Sequence, residues 1–474
     1  MIIIGINAFH ADASAAIFVD GKMIAAIEEE RFRRKKHWAG FPDLAIQFCL
    51  QEAGISFTDV DHWAIGRDPK AKFFKKILYL AKNPGGSISV IADRFLNSRK
   101  AASIEDELAR LSGLPAKNFV GKIHNIEHHR SHIASAFFAS PFEESACLSI
   151  DGSGDFSTTM TAIGKGNDIT ILNSVDFPHS IGIFYTAFTQ LLGFPYYGDE
   201  YKVMGMAPYG QPKYLQQLND VVTLTNDGLF KLNLKYFRTG TAGIISYDED
   251  NIPVVATLYS KKMVEIFGEP RKKDEPLQQY HKDLAASVQR FTEKIIFHIL
   301  EHLQKQTGLK NICIAGGVAQ NSVANGKILN NTAFTKMYIP SAGHDAGISM
   351  GAALYTQQQL LKYNRQPVIK NAYTGSRFSN EEIKKLLSEK GIAFTEMKDD
   401  ALYDYVTNCL VNGGVVGWFY GRAEFGPRAL GGRSIIADPR RADAKEILNL
   451  KVKRRESFRP FAPSISKEYV ADFF

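Results

Sequence analysis

The stretch that decides the fold lies before the middle of the chain and reads Cys147-Leu148-Ser149-Ile150-Asp151-Gly152-Ser153-Gly154-Asp155. Its apolar first half predicts a buried strand, and the glycines of its second half predict a polar loop. The residues that follow predict a strand over 158–163, a turn over 164–168 and a strand over 169–175. The stretch therefore opens a unit of strand, loop, strand, turn and strand.

The same unit is predicted once more, at the start of the chain. Strands are expected over 2–6, 15–19 and 23–27, with a polar loop over 7–14 and a tight turn at Asp20-Gly21. Two copies in one chain favour the duplicated lobes of the actin, sugar-kinase and chaperone-ATPase superfamily, in which the two loops face a nucleotide cleft. Chance similarity between common hairpins is the alternative. The expected fold class is α/β.

A pair of histidines just before this stretch has the spacing of a metal site. His128 and His132 lie one turn apart on a predicted helix, so both imidazoles occupy one face, and Asp151 could complete a set that suits iron or zinc. Spacing alone leaves this interpretation even with an incidental pair. His298 and His302 have the same spacing inside an amphipathic run, 284–303, and we interpret them as the flank of a packing helix.

Three further loops contain candidate site residues. Gly316 and Gly317 lie between a short strand and a helix start, where backbone N–H groups favour phosphate or a ribose and base. Asp345 follows a glycine and a histidine, and either caps the next helix or joins the metal. The aromatic loop 193–210 holds Glu200 and Lys202, which form either an exposed ion pair or a ligand contact.

Composition excludes several classes of protein. The chain has 474 residues, 45% hydrophobic and 23% charged, which predicts two or three globular domains. It contains no apolar run long enough for a bilayer and no basic leader, so we expect a cytoplasmic protein without a membrane anchor. The four cysteines are far apart and are expected to be buried thiols.

The last hundred residues contain a different signal. A polar linker over 363–371 is expected to separate a domain over 1–362 from one over 372–474. The second domain holds arginines among glycines and prolines, in 421–434 and 451–463, and guanidinium groups there suit phosphate or carboxylate oxygens. Nucleic acid is discounted because the chain has no long basic surface and no pattern of aromatic and basic residues for stacking.

Together these motifs resemble carbamoyltransferases related to nodulation protein U, cephamycin carbamoyltransferase and tobramycin carbamoyltransferase. The resemblance covers nearly the whole chain, in the family's order. It rests on the segments Gly5-Ile6-Asn7 with His10 and Asp12-Ala13-Ser14, Glu28 to Phe32, His128 to His132, Asp151 to Gly154, Glu200 to Gly205, Ala315 to Asn321, Gly426 to Gly431 and Phe458 to Pro463.

The resemblance implies the architecture and the reaction. An actin-like N-terminal domain similar to tRNA threonylcarbamoyl transferases would be followed by an α+β domain similar to threonylcarbamoyl-adenylate (threonylcarbamoyl-AMP) synthases. The C-terminal domain would make carbamoyl-adenylate from carbamoyl phosphate and ATP, with Mg as the counter-ion of ATP. The N-terminal domain would pass the carbamoyl group to a hydroxyl of a small-molecule natural product or glycoside.

The resemblance also assigns roles to residues. Fe(II), with Zn or Mn as alternatives, would be held by His128, His132, Asp151 and Asp345. Carbamoyl phosphate or the nucleotide phosphates would be held by Arg428, Lys453 and Arg459. The adenosine site would comprise Gly152, Ser153, Gly154, Gly316, Gly317, Gln320 and Asn321. On the acceptor side, His10 is the candidate base, and the neighbouring substrate-binding candidates are Asp12, Glu200 and Lys202.

The sequence departs from the family at two points, and two alternative functions remain open. Gly432 stands where family members tend to have Asn, and the sequence ends at Phe474, so the second domain is expected to be partial. The alternatives are a tRNA threonylcarbamoyl transferase-like enzyme and a degenerate nucleotide-binding relative without activity. The sequence leaves the acceptor and the choice between monomer and homodimer open.

Overall fold

The computed structural model describes residues 1–82, 104–113, 121–239, 245–365 and 368–473. These residues form two compact units. Unit 1 comprises Met1–Gly375 and Phe425–Arg428, and unit 2 comprises Ser376–Glu424 and Ala429–Phe474. Residues 83–103 of the basic segment 70–111, for which we predict helix, lie outside the described residues, as do 366 and 367 of the predicted linker.

The first sheet of unit 1 is built around the first strand of the chain. Its strands are β1 Ile2–Asn7, β2 Ser14–Val19, β3 Lys22–Glu28, β4 His62–Ile65 and β5 Lys122–Asn125, in the order β3-β2-β1-β4-β5. β1 pairs with β2 in antiparallel register and with β4 in parallel register. The side chains of β1 are buried almost throughout, as expected for a central strand with both faces covered.

The second sheet repeats this arrangement. Its strands are β6 Glu144–Gly154, β7 Ser157–Lys165, β8 Asp168–Asp176, β13 Asn311–Ala315 and β14 Lys336–Tyr338, in the order β14-β13-β6-β7-β8. β6 pairs with β7 in antiparallel register and with β13 in parallel register, as β1 does with β2 and β4. The central strand, its hairpin and the two parallel strands thus recur, which confirms the duplicated α/β fold.

Helices pack on the two sheets. The helices of unit 1 are α1 Glu30–Arg33, α2 Asp43–Ala53, α3 Phe73–Lys82, α4 Ile104–Ser112, α5 His128–Phe137, α6 Ile181–Leu191, α7 Glu200–Met206, α8 Leu215–Val221, α9 Lys261–Phe267, α10 Gln279–Thr307, α11 Ser322–Asn331 and α12 Gly347–Tyr355. Two short hairpins complete unit 1, and their strands are β9 Val222–Leu224, β10 Phe230–Leu232, β11 Ile245–Tyr247 and β12 Pro253–Val255.

Glycines let α12 approach its neighbours closely. A Cβ on Gly351 would lie 1.8 Å from the Ser131 carbonyl oxygen on α5, and one on Gly5 would lie 1.8 Å from the Ser349 carbonyl oxygen. Any larger side chain at either position would therefore push the backbones apart. This close packing brings the start of α12, which follows Asp345, to the start of α5.

Unit 2 has little buried surface of its own. It contains α13 Asn380–Glu389, α14 Asp399–Val411, α15 Ala444–Glu446, α16 Val470–Phe473 and the antiparallel pair β15 Val415–Phe419 and β16 Arg433–Ala437. Glu424 organises its arginine loop, because the buried carboxylate accepts from the backbone N–H groups of Leu430 and Gly432, each at 2.7 Å. None of the described helices in the chain has the length and apolar character needed to cross a membrane.

Candidate metal centre

The first turn of α5 is held in place by two carboxylates. The Glu127 side chain caps the helix by accepting from the backbone N–H of Arg130 at 2.8 Å. Asp155 Oδ2 accepts from the backbone N–H of His128 at 3.0 Å and from that of Asp68 at 2.8 Å. Asp155 therefore links the end of the glycine loop to α5 and to the chain that leaves β4.

Four side chains converge in front of this turn. His128 Nε2 and His132 Nε2 lie 3.1 Å apart, and Asp151 Oδ2 lies 3.3 Å from the first and 3.0 Å from the second. Asp345 Oδ1 lies 3.7 Å from His128 Nε2 and 3.4 Å from His132 Nε2. The structure thus brings together the four residues expected to hold a metal. We call them the metal quartet.

The donor set of the metal quartet fits a divalent cation. Metal–ligand bonds of about 2.1 Å put neighbouring donor atoms about 3.0–3.4 Å apart, close to the separations observed. A proton on one Nε2 can satisfy only one acceptor, and the buried Asp345 Oδ1 has no hydrogen-bond partner among the described residues. A cation at the centre would satisfy all four donors, and two imidazoles with two carboxylates suit Fe(II), Zn²⁺ or Mn²⁺.

The electrostatics of the metal quartet are those of coupled opposite charges. Burial lowers the pKa of His132, but the adjacent carboxylates of Asp151 and Asp345 outweigh burial and raise that pKa to about 9. Burial raises the pKa of Asp345, yet the nearby His10 and His132 hold it well below the ordinary range. Without a metal, the two carboxylates therefore keep a proton on His132.

Among the acceptor-side candidates, His10 contacts the metal quartet directly. His10 Nδ1 lies 2.9 Å from Asp345 Oδ2, so this side chain supports a metal-quartet carboxylate. Asp12 pairs with His37 Nδ1 at 2.8 Å. The Tyr197 hydroxyl lies 3.5 Å from Asp345 Oδ2, and its ring contacts that of His37 edge-on.

Glu200 and Lys202 each contact a neighbouring polar side chain. The Glu200 carboxylate accepts from the Thr186 hydroxyl at 2.5 Å, and Lys202 Nζ lies 2.8 Å from the Asp199 carboxylate. Burial raises the pKa of Glu200, and the hydrogen bond from Thr186 opposes this shift. Both side chains are partly buried, so neither is the freely exposed charge of the first alternative.

Asp12, Glu30 and His37 form a second group with donor atoms close enough for a metal. Its polar atoms are already used within the group, since Asp12 pairs with the His37 ring and Glu30 accepts from the His37 backbone N–H at 2.9 Å. Both acidic groups are satisfied in this way, so we assign no metal to this group.

The glycine loops border Asp151. The backbone N–H of Gly152 donates to Asp151 Oδ1 at 2.6 Å, and a Cβ on Gly317 would lie 2.7 Å from the same oxygen. Gly316 has φ +103° and would place a Cβ 2.2 Å from the Ile150 carbonyl oxygen, so only glycine fits. Ser153 is half-buried in the same loop.

The two polar residues after Gly317 differ in their contacts. Asn321 uses both of its side-chain polar atoms internally, with Gln289 on α10 and with the backbone N–H of Ala324. Gln320 lies against Gly343, because a Cβ there would be 2.5 Å from Gln320 Nε2. The structure therefore gives Asn321 a role in joining α10 to α11.

The predicted phosphate-binding residues fall in both units. Arg428 is exposed and ends the segment Phe425–Arg428, which belongs to unit 1. That segment is clamped, because the Gly426 N–H donates to Glu28 at 2.7 Å and the Gly426 carbonyl accepts from Arg31 at 2.7 Å. Within unit 2, Lys453 is exposed, and the half-buried Arg459 lies 3.4 Å from Glu456.

Sequence reasoning missed four residues near the metal quartet: Arg67, Asp155, Tyr197 and His37. Asp155 ends the glycine loop, so its position next to that loop was the available signal. Tyr197 lies in an aromatic loop that was recognised without a role for this residue. His37 and Arg67 carried no signal, because their positions depend on how separate loops pack.

The fold and the site together define a class of protein. It is a duplicated α/β protein whose two sheets contribute histidines and carboxylates to one candidate metal centre. Residues 2–354 match the family described as Carbamoyltransferase N-terminus, and residues 407–474 match Carbamoyltransferase C-terminus. The chain belongs to the carbamoyltransferase family of enzymes, which confirms the resemblance found in the sequence.

Similar proteins agree with this assignment. Protein sll1178 of Synechocystis sp. is 43% identical over 100% of this chain and 77% of its own length. Nodulation protein NolNO of Sinorhizobium fredii is 36% identical over 99% of this chain, which spans 64% of that relative. Among solved structures, component A of (R)-2-hydroxyglutaryl-CoA dehydratase from Acidaminococcus fermentans aligns at TM-score 0.37 and 13% identity, covering 75% of this chain and 97% of that one. The fold assignment rests on the strand order given above.

Proposed function

We propose that this protein is an O-carbamoyltransferase that uses carbamoyl-adenylate, made from carbamoyl phosphate and ATP, to carbamoylate a hydroxyl of a small-molecule natural product or glycoside. Membership of the carbamoyltransferase family supports carbamoyl transfer. The observation that carries the proposal is the convergence of the metal quartet beside two glycine loops. This arrangement offers one place for a cation, a nucleotide and a reacting carbonyl.

The metal quartet would hold a divalent cation, for which Fe(II) is our choice and Zn²⁺ or Mn²⁺ the alternatives. When bound, such a cation supplies Lewis acidity toward the carbamoyl oxygen. His128 and His132 lie almost fully buried on one helix face, and Asp151 and Asp345 come from the second lobe. Burial of these four groups would keep water from competing for the cation.

The glycine loops would hold the adenylate. Gly152, Ser153 and Gly154 follow Asp151, while Gly317 lies against the Asp151 carboxylate and Gly316 against the Ile150 carbonyl. A Cβ on Gly152 would meet no atom within 4 Å, so a ribose or phosphate could approach the loop closely at this residue. Gln320 would contact the adenosine at the rim, while Asn321 would support the loop from behind.

Formation of the donor would use the arginine motifs. Hydrolysis of carbamoyl phosphate releases phosphate, and a carbamate oxygen then bonds to the α-phosphorus of Mg-ATP while pyrophosphate leaves. Arg428, Lys453 and Arg459 would neutralise charge on the departing groups. Relatives extend beyond the part that this chain spans, so we assign these roles by motif position alone.

Transfer would occur at the metal quartet. The acceptor oxygen bonds to the carbamoyl carbon, AMP leaves, and a base takes the hydroxyl proton. His10 is the proposed base, since its Nδ1 faces Asp345 at 2.9 Å and leaves Nε2 for the acceptor. Asp12, Glu200 and Lys202 would line the acceptor side.

Release of pyrophosphate tests the proposal. We expect the purified protein to release pyrophosphate from ATP only when carbamoyl phosphate is present, and we expect Arg459→Ala to abolish that release. Arg290→Ala is the matched control, because Arg290 is exposed on α10. Pyrophosphate release that is independent of carbamoyl phosphate, or equal in the two variants, would contradict the proposal.

A further inference from the structure

Arg67 lies beside the metal quartet with no role in the reaction described above. It follows β4 at the edge of the first sheet where β1 and β5 also end. Ligands of open α/β sheets bind at the carboxyl ends of the strands. The position of Arg67 therefore places its charged group at the edge of the sheet from which His10 and His128 also emerge.

The residues on each side of Arg67 contact elements that carry metal-quartet residues. Gly66 donates to the Ile6 carbonyl of β1 at 3.0 Å and packs so closely on Ile348 of α12 that a Cβ would lie 1.8 Å from that side chain. On the other side, the backbone N–H groups of Asp68 and His128 both donate to Asp155 Oδ2. Arg67 is thus tied to the elements that carry Asp345 and His128.

The guanidinium of Arg67 has no hydrogen bond or ion pair within the described part of the chain. It is half-buried. Burial lowers the pKa of His10 but the Asp345 carboxylate outweighs burial and raises it, and burial raises the pKa of Tyr247; the positive charge of Arg67 opposes both rises. A half-buried guanidinium without a partner is costly, and its usual partners are carboxylate or phosphate oxygens held by two parallel hydrogen bonds. Carboxylates of the metal quartet already face the histidines.

We infer that Arg67 binds the phosphate of the carbamoyl donor and thereby orients the donor toward the metal quartet. The inference rests on the proposed function, because it takes the donor to be an adenylate. Arg67 provides positive charge at the strand ends that also carry His10 and His128. The guanidinium holds the phosphate before transfer and stabilises the negative charge that AMP gains when the carbamoyl bond breaks.

Titration calorimetry of the Mn²⁺-loaded protein tests this role with AMP, adenosine and inorganic phosphate. We expect the wild type to bind AMP more tightly than adenosine, and Arg67→Gln to weaken AMP binding by ~10-fold or more without changing adenosine binding. Arg67→Lys should fall between the two, because it keeps the charge and loses the planar fork. The affinity for inorganic phosphate shows whether Arg67 binds a free anion or only the phosphate of the nucleotide.

Arg110→Gln is the matched control, because Arg110 is exposed and pairs with Glu107. Unchanged adenosine binding also shows that the Arg67 variant is folded. Equal AMP affinity in the wild type and Arg67→Gln, or equal affinity of the wild type for AMP and adenosine, would overturn the inference. Pyrophosphate release measured on the same proteins separates this failure from failure of the proposed function, since release depends on donor formation and not on Arg67.

Discussion

Two of the described helices carry histidines four residues apart, and only the pair on α5 belongs to the candidate metal centre. On α5, His128 and His132 are buried and their Nε2 atoms face two carboxylates. On α10, His298 Nε2 lies 3.0 Å from the Thr225 carbonyl oxygen, and His302 packs against Gly228. No group of metal-ligating side chains in the described ranges includes the α10 pair.

The difference shows what a helical histidine pair needs in order to bind a metal. Helix geometry supplies two imidazoles on one face, but the carboxylates must come from elsewhere in the chain. Asp151 follows the apolar part of β6, and Asp345 precedes α12, which packs closely on α5 because of its glycines. Position in the fold, and not spacing, separates the two pairs.

Removal of one histidine from each pair should give the largest difference in metal affinity between the two helices. We expect His132→Ala to lower the affinity for a divalent metal more than ~100-fold, because loss of outer-shell groups alone costs about 10–100-fold. His302→Ala should leave the affinity unchanged. Metal titration of both variants gives the answer, and an equal loss in the two would refute the assignment of the metal quartet.

One histidine of each pair also packs against a glycine, and substitution of that glycine gives a second test. A Cβ on Gly154 would lie 2.1 Å from the His128 ring, and a Cβ on Gly228 would lie 2.1 Å from the His302 ring. We expect Gly154→Ala to displace His128 and reduce metal affinity by roughly 10-fold or more. Gly228→Ala should cost roughly 1–2 kcal/mol of stability, because Gly228 has φ +78°, and should spare metal binding.

Metal titration and thermal unfolding of the two glycine variants separate these effects. If Gly228→Ala reduced metal affinity as much as Gly154→Ala, the assignment of the metal site to the α5 pair alone would be contradicted. It would also fail if Gly154→Ala bound metal like the wild type.

The support given by His10 should have a smaller effect on the metal. His10 holds Asp345 Oδ2 from outside the metal quartet, so we expect His10→Gln to lower metal affinity about 10-fold. His124→Gln is the control, since His124 pairs with His62 and with no member of the metal quartet. Equal metal affinities for the two variants would show that His10 does not position Asp345.

The smallest effect concerns the start of α5. Burial, together with the charge of Asp155, raises the pKa of Glu127 to about 7, so folding disfavours its ionised form. The folded protein therefore binds this proton more tightly than the unfolded chain, and stability should fall as pH rises from about 4.5 to about 7. Glu127→Gln gives α5 the N-cap residue type that α10 has in Gln278.

We expect the unfolding midpoint of Glu127→Gln to vary with pH by a few degrees less than that of the wild type. Thermal unfolding at pH 5 and at pH 8 measures the difference. Gln278→Glu is the companion variant, whose midpoint should change little between the same two pH values because residue 278 begins the other helix. An unchanged pH dependence in Glu127→Gln would contradict the raised pKa.

Much of the fold was predictable because its signals are local. Apolar runs and the Asp20-Gly21 turn predicted the strands of both lobes, and the helix predicted over 284–303 is observed as Gln279–Thr307. The order of the parallel strands was not predictable, because β4, β5, β13 and β14 are short and pair across long stretches of chain.

The candidate site was predictable to the extent that its motifs are contiguous. His128, His132 and Asp151 lie close in sequence, whereas the loop around Asp345 left open a helix cap or a metal ligand, and the resemblance to the family chose the second. The pairing of Asp12 with His37 could not be predicted, since both residues have positive φ in irregular loops. The position of Arg67 also depends on contacts with Asp155 and α12, which no local pattern encodes.

The clamp on Gly426 has a consequence for protein engineering. Phe425 is buried in the same core cluster as Ala342 and Ala346, which flank Asp345, although it lies about fifty residues beyond Gly375. A truncation at Gly375 would leave a hole in the core behind a metal-quartet ligand, so it would not yield an intact N-terminal fragment. Chimeras between relatives should therefore take Phe425–Arg428 from the same parent as Glu28 and Arg31.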